Sequence, residues 1–407
     1  MGDLIGELVE GILKSFSPDG ALDLGKLVGG ILIALIAVGI GKAARWAWPR
    51  LLSLYGSIRN IERARRAVAP PSRGIWLAPS IPLEPPSNYK ARMRTSIPII
   101  VVANLKGGVG KTTTAANLVA HYAIKKGEKV LAIDLDFQGS LTATAMSKED
   151  RSQTLENEIE GGISKAAHLI DDKNGYWLRS TAERIAGVTG ATIVPTYYSL
   201  ASTENRVMVE WLIGRRTDDV RYHLATVLHD EEVQSRYQRV IIDAPPRLTT
   251  ACVQALAACT HVLIPTVLDE LSAEAVGAFA DQLRINQEIW PHLRIVGVVG
   301  AMTENSTVKD GLLKDDPLKD YEGLALSNIR DTLRAAVETA RPPLNDASVL
   351  PIECFIPNKT ELGRLAGYGI AYANTGRTAV LAEIKECFDR LGDEIDRRVA
   401  ASRSGSG

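Results

Sequence analysis

Ile97-Pro98-Ile99-Ile100-Val101-Val102-Ala103-Asn104-Leu105-Lys106-Gly107-Gly108-Val109-Gly110-Lys111-Thr112-Thr113 is the stretch that decides the fold. Its first seven residues form an apolar, β-branched run of the kind that becomes a strand buried on both faces of a parallel sheet. A glycine-rich loop follows, and Thr112 to Lys126 reads as a helix. Strand, glycine loop and helix together make a phosphate-binding unit. Glycines let backbone N–H groups curl round phosphate oxygens, and the helix amino terminus adds positive potential. Gly107, Gly108, Val109, Gly110, Lys111, Thr112 and Thr113 are therefore the expected nucleotide-binding residues. Lys111 supplies charge to the β- and γ-phosphates of ATP, and the Thr112 hydroxyl suits Mg²⁺. The common phosphate-loop pattern has glycine where this chain has Leu105, and a second lysine, Lys106, opens the loop instead.

Further along, strand and helix patterns alternate. Val130-Leu131-Ala132-Ile133-Asp134-Leu135-Asp136-Phe137-Gln138-Gly139-Ser140 is an apolar strand ending in two carboxylates, and Val240-Ile241-Ile242-Asp243-Ala244-Pro245-Pro246 is another ending in one. Carboxylates at the ends of central parallel strands face the crevice where such sheets bind ligands. Asp243 can hold Mg²⁺ there through water, and Asp136 can orient the attacking water. Either Asp134 or Asp136 could instead simply cap the next helix. The expected fold class is α/β: a doubly wound, mostly parallel sheet with helices on both faces, preceded by an amino-terminal hydrophobic helix.

These motifs resemble the ParA/MinD family of deviant Walker A ATPases over roughly residues 97–395. The resemblance extends to Ile193-Val194-Pro195 with Leu200 and Glu204, to the strand His261–Pro265, and to Phe355-Ile356-Pro357-Asn358. It implies that Pro357 and Asn358 lie against adenine. It also implies that Lys106 and Lys111 act on the phosphates with Asp136 as a catalytic group, and that Lys106 reaches across an ATP-bound homodimer. Phe137 and Ser140 depart from the family's usual proline and asparagine, but neither carries charge, so hydrolysis should survive. The activity implied is an ATPase that uses ATP binding as a dimerisation signal to position or regulate a protein partner or cargo. Non-specific DNA binding is common among such relatives, but no basic patch can be assigned to it from these residues. One alternative is a bacterial tyrosine autokinase, opposed by the absence of any tyrosine after Tyr372. Another is a nucleotide-binding module with negligible turnover, opposed by Asp136 and Asp243.

The chain has 407 residues, 45% of them hydrophobic and 23% charged, with a formal net charge of −1, so no global field draws it to nucleic acid. Cys252, Cys259, Cys354 and Cys387 show no C-x-x-C pair and suit a reducing compartment rather than a disulfide framework. The amino-terminal region differs from the rest. Residues 1–26 read as an amphipathic segment. Residues 27–41 carry no charge, with Lys26 and Lys42 at the ends and Trp46 and Trp48 just beyond. Fifteen helical residues rise about 22 Å, short of a ~30 Å hydrocarbon core unless flanking lysines snorkel and Ala43 and Ala44 extend the run. Residues 27–48 are expected to form a transmembrane helix anchored through 27–44, the alternatives being a core helix or a docking helix. Residues 42–66 hold seven bases and one acid, while residues 1–26 hold five acids and two lysines. The positive-inside rule then gives a single-pass protein of the inner (cytoplasmic) membrane with its ATPase domain in the cytoplasm.

Residues 49–96, basic and then Pro-rich, are expected to be a linker. The ATPase domain is expected over 97–400, with a disordered tail at 401–407. Thr303 to Val349 reads as an inserted surface element with a helix near Leu326–Arg341, and Arg377 to Ala400 as a helix with one apolar stripe.

Overall fold

The computed structural model describes residues 74–78, 81–160, 162–171, 182–309, 312–339, 348–365, 369–374 and 378–404, with Pro49, Leu52 and Gly56 as isolated positions. The expected amphipathic segment 1–26 and the apolar segment 27–48 lie outside the described residues. Among the described residues, no helix is long and apolar enough to cross a membrane.

Ten strands follow in chain order: β1 (Ile99–Val102), β2 (Val130–Asp134), β3 (Glu183–Arg184), β4 (Ala191–Val194), β5 (Arg239–Asp243), β6 (His261–Thr266), β7 (Arg294–Thr303), β8 (Val308–Lys309), β9 (Leu312–Leu313) and β10 (Ile356–Pro357). Eight of them form one sheet in the order β10-β7-β6-β1-β5-β2-β4-β3, and β8 and β9 form a separate hairpin. All pairings in the large sheet are parallel except β3 with β4. Helices cover both faces, so β1, β2, β5 and β6 are buried throughout, as their unbroken apolar runs require. From β1 the chain moves to β2 on one side, and from β5 it moves to β6 on the other. The order therefore reverses around β1, where the phosphate loop leaves the sheet.

The phosphate-loop helix, Lys111–Ile124, is rich in alanine and buried along most of its length. It lies between the sheet and the carboxyl-terminal helix, Ala379–Ser404. That helix runs beyond the expected end at Ala400, so residues 401–404 of the expected tail are helical. Ile384, Cys387, Phe388, Leu391, Ile395 and Val399 make its buried stripe. Contact between the two helices is close at Gly392, where a Cβ would stand 2.3 Å from His121 Nε2. Polar links flank this point: His121 Nδ1 to Asp389 Oδ1 at 2.8 Å, Tyr122 Oη to the Gly392 carbonyl at 3.2 Å, and Lys126 Nζ to Asp393 Oδ1 at 2.7 Å.

Two segments are more firmly built than the sequence implies. The expected insertion contains a twenty-residue helix, Asp320–Thr339, which begins before Leu326. Its start is earlier because Glu322, almost fully buried, accepts the backbone N–H groups of Glu304 and Lys319, both at 2.9 Å. Ala325, Leu326, Ile329 and Leu333 are buried on this helix.

The second segment is 74–96, expected to be spacer; its described residues are packed on the body. Trp76 stacks on Trp211 with ring centroids 6.0 Å apart. Arg221, fully buried, donates to the carbonyls of Trp76 at 2.6 Å and Pro82 at 2.7 Å while paired to Asp219 at 2.7 Å. Asp219 Oδ2 in turn accepts the Glu84 N–H at 2.9 Å. A proline has no backbone N–H to give a helix but keeps its carbonyl, and that of Pro82 is one Arg221 collects. Removing Arg221 would strand a buried carboxylate. Arg221→Ala should therefore cost about 3–5 kcal/mol of folding stability, checked by urea denaturation.

Candidate nucleotide site

The loop begins with a clamp. Asn104, which sequence reasoning did not single out, donates from Nδ2 to the Pro265 carbonyl on β6 at 2.9 Å. Its Oδ1 accepts the Lys106 N–H at 3.0 Å. One side chain thus ties the loop to the neighbouring strand. Gly110, at φ 81°, caps the helix in the left-handed region, and a Cβ there would lie 3.5 Å from Ala301 Cβ on β7. Val109 is buried, while Thr112 and Thr113 are half-buried at the helix start.

Lys111 is buried, and its Nζ donates to the Lys106 carbonyl at 2.9 Å. Burial pushes its ammonium pKa down, opposed by the nearby carboxylates of Asp243 and Asp136. Thr112 Oγ1 donates to Asp243 Oδ2 at 2.7 Å. The other oxygen, Asp243 Oδ1, is buried with no hydrogen-bond partner. Asp243 stands beside Asp134, its register partner across β5 and β2. Burial first, and Asp134 second, push the Asp243 carboxyl well above its usual range. The orphaned carboxylate oxygen next to a threonine hydroxyl fits Mg²⁺ held directly or through water.

The two carboxylates of β2 divide their roles. Asp134 is fully buried and accepts Thr142 N–H at 2.8 Å, Thr142 Oγ1 at 2.7 Å and Asp136 N–H at 3.2 Å. It fastens the helix Ser140–Ala145 to the strand end, and burial raises its pKa to about 7. The helix-fixing role therefore falls on Asp134. Asp136 lies two residues on, with Oδ1 accepting the Gln138 N–H at 3.1 Å. The turn closes with Gly139 N–H to the Asp136 carbonyl at 2.8 Å. Gly139 sits at φ 65°, and a Cβ there would meet the Thr196 carbonyl at 2.8 Å, so this turn admits only glycine.

Glu204 gains a position that its sequence match could not supply. Buried, with burial raising its pKa, it accepts the Ala251 N–H at 2.8 Å. It thereby holds the start of the helix Thr250–Ala258, which follows Asp243 and its two prolines. Pro357 pairs with β7 at Thr303, and the Asn358 N–H donates to the Thr303 carbonyl at 2.8 Å. Both lie at the carboxyl end of β7, the strand whose Ala301 approaches Gly110. Met302 on the same strand end is exposed at φ 58°, a strained conformation for a non-glycine residue and one that sequence gave no sign of.

Lys106 is held within its own chain. Its Nζ lies 3.2 Å from Asp269 Oδ1 and 2.7 Å from Ser272 Oγ. Burial works against the Asp269 carboxylate, but Ser272 and Lys106 keep its pKa below the usual range.

Residues 97–295 match the AAA domain family. Over 219 residues the chain is 32% identical to the chromosome-partitioning ATPase Soj of Thermus thermophilus, covering 53% of this chain and 74% of that one.

The chain belongs to the ParA/Soj family of P-loop ATPases.

A second ParA/Soj relative, the chromosome partitioning protein ParA of Caulobacter vibrioides, is 29% identical over 57% of this chain and 81% of its own. Among solved structures, that of pNOB8 ParA matches with a TM-score of 0.54 at 20% identity, over 75% of this chain and 99% of that one, a likeness of fold.

Proposed function

We propose that this ParA/Soj-family chain is a membrane-anchored ATPase that dimerises with ATP, separates after hydrolysis, and so positions or regulates a protein partner or cargo. The observation that carries the reading is the unpartnered Asp243 Oδ1 beside Thr112 and Lys111, with Asp136 at the next strand end. Lys111 and the loop amides would bind the triphosphate. Thr112 and Asp243 would hold Mg²⁺, which when bound offsets charge on the β- and γ-phosphates. Asp136 would orient the attacking water, and Pro357 and Asn358 would border the adenine.

Lys106 would leave Asp269 to meet the partner's phosphates. Its pair is partly exposed, so the exchange is inexpensive: such pairs contribute about 0–1 kcal/mol. Across the boundary, one interfacial charge contact can contribute a few kcal/mol, or roughly a hundredfold in association. Lys106→Ala should retain ATP yet lose that dimerisation, read by sedimentation of the full chain with ATP in a hydrolysis-blocked background. Equal dimerisation with and without Lys106 would remove the cross-subunit role.

The relatives' names point to chromosome partitioning, yet an anchored ATPase could not diffuse freely over a nucleoid. The cargo proposed is therefore one held near the inner membrane. Anchoring through residues 27–44 predicts that the full chain stays with membranes during alkaline carbonate extraction. A chain that washes off would make the segment a docking helix.

A further inference from the structure

The amino-terminal ends of the parallel strands lie at the opposite end of the sheet from the phosphate loop. The helix Tyr89–Thr95 packs at this end, three residues before β1 begins at Ile99. Tyr89 and Met93 are buried, with Tyr89 edge-on to Tyr222 at 5.2 Å and 6.2 Å from His292. Lys90, Arg92 and Arg94 are exposed. The carboxyl-terminal helix finishes here too. Arg403, also exposed, donates from Nη2 to the Ser96 carbonyl at 2.6 Å. His261 Nε2 and Ser402 Oγ are 2.9 Å apart. Beside them a cavity of about 210 Å³ is lined by His261, Arg294, Arg397 and Arg398 among others.

Arg397 and Arg398 are matched to Glu394. Lys90, Arg92, Arg94 and Arg403, in contrast, have no carboxylate in ion-pair contact among the described residues. Two histidines register the resulting field. His292 is pushed down by burial and then by Arg94, Lys90 and Arg294. His261 is pushed down to about 3 by burial and then by Arg403, Arg294 and Arg239. Phosphate binding at the other end of the sheet has no use for this charge, and like charges held together repel unless an anionic surface meets them.

We propose that this face, built from Lys90, Arg92, Arg94 and Arg403, docks on the anionic headgroups of a membrane leaflet. A leaflet is favoured as the occupant because the same sign of charge continues toward the amino terminus. Residues 42–66 carry seven bases to one acid and adjoin the uncharged run 27–41. The docked orientation leaves the nucleotide end free to meet a second subunit. The proposal shares a membrane with the proposed function, but not the anchor, because these cations would bind headgroups whether or not residues 27–44 span.

The test uses the full chain, assembled with nanodiscs of phosphatidylcholine alone or with added phosphatidylglycerol, and reads amide hydrogen exchange. Each cation near an anionic surface contributes about fivefold in binding, so exchange at residues 89–96 and 397–403 should slow by at least about tenfold with phosphatidylglycerol. The effect should vanish in 0.5 M salt, where the screening length falls to about 4 Å. The variant K90Q/R92Q/R94Q should lose the lipid-dependent protection at 89–96 yet keep its ATP-induced dimer. Equal exchange in both lipids overturns the proposal, and so does protection that survives the variant. Protection by duplex DNA without protection by phosphatidylglycerol also overturns it and assigns the face to nucleic acid. Carbonate retention and ATP-induced dimerisation are read separately, so failure here is distinct from failure of the anchored switch.

Discussion

Lys111→Ala should raise the dissociation constant for ATP by about thirty- to several-thousand-fold. Truncating one partner of a buried charge contact costs about 2–5 kcal/mol, and each 1.4 kcal/mol is tenfold. The structure shows why this lysine suits the task. Its ammonium is buried and depressed by that burial, and its hydrogen bond runs to a loop carbonyl, that of Lys106, at 2.9 Å. A triphosphate would replace that neutral acceptor with full negative charge, so binding restores what burial took from the ammonium. The fold should survive the change, because Asn104, Gly110 and the buried β1 set the loop independently of the lysine. Equilibrium dialysis with labelled ATP gives the measurement, with thermal unfolding as the control. Unchanged affinity would sink the assignment of this loop to phosphate.

Asp136→Ala should bind ATP and Mg²⁺ as the parent does, while hydrolysis falls by about 10²- to 10⁴-fold, the range for loss of a positioned acid–base group. Water positioning is lost, and the cradle remains. Structural damage should be small. Asp134, not Asp136, carries the two hydrogen bonds from Thr142 that fasten the helix after β2, and it accepts a third from the Asp136 N–H. Among the described residues, the Asp136 carboxylate accepts only a local bond, from the Gln138 N–H. Single-turnover hydrolysis measures the effect, and the trapped ATP state should accumulate as dimer. Parental turnover would refute the role. The corresponding change at Asp134 should instead lower stability, because Thr142 Oγ1 and two backbone N–H groups would lose a buried acceptor.

Sequence alone determined the sheet and where its phosphate-loop motif lies. Apolar runs at Ile99–Val102, 130–133 and 240–242 have one stable outcome, a parallel strand covered on both faces. Glycines at a loop between strand and helix likewise announce a phosphate cradle, because spacing along the chain already sets the geometry. Tertiary structure decided what depends on residues distant in the chain. Nothing local distinguishes Asp134 from Asp136; the hydroxyl of Thr142 and the turn at Gly139 do. Prolines read as spacer at 74–96 because local rules see only lost helix, whereas Arg221, far along the sequence, collects the carbonyls of Trp76 and Pro82. Lys106 reads as a free charge until Asp269 is folded beside it. The basic face is invisible in a net charge of −1, because Lys90, Arg92, Arg94 and Arg403 come to one end only when the fold brings the start of β1 and the end of the carboxyl-terminal helix together.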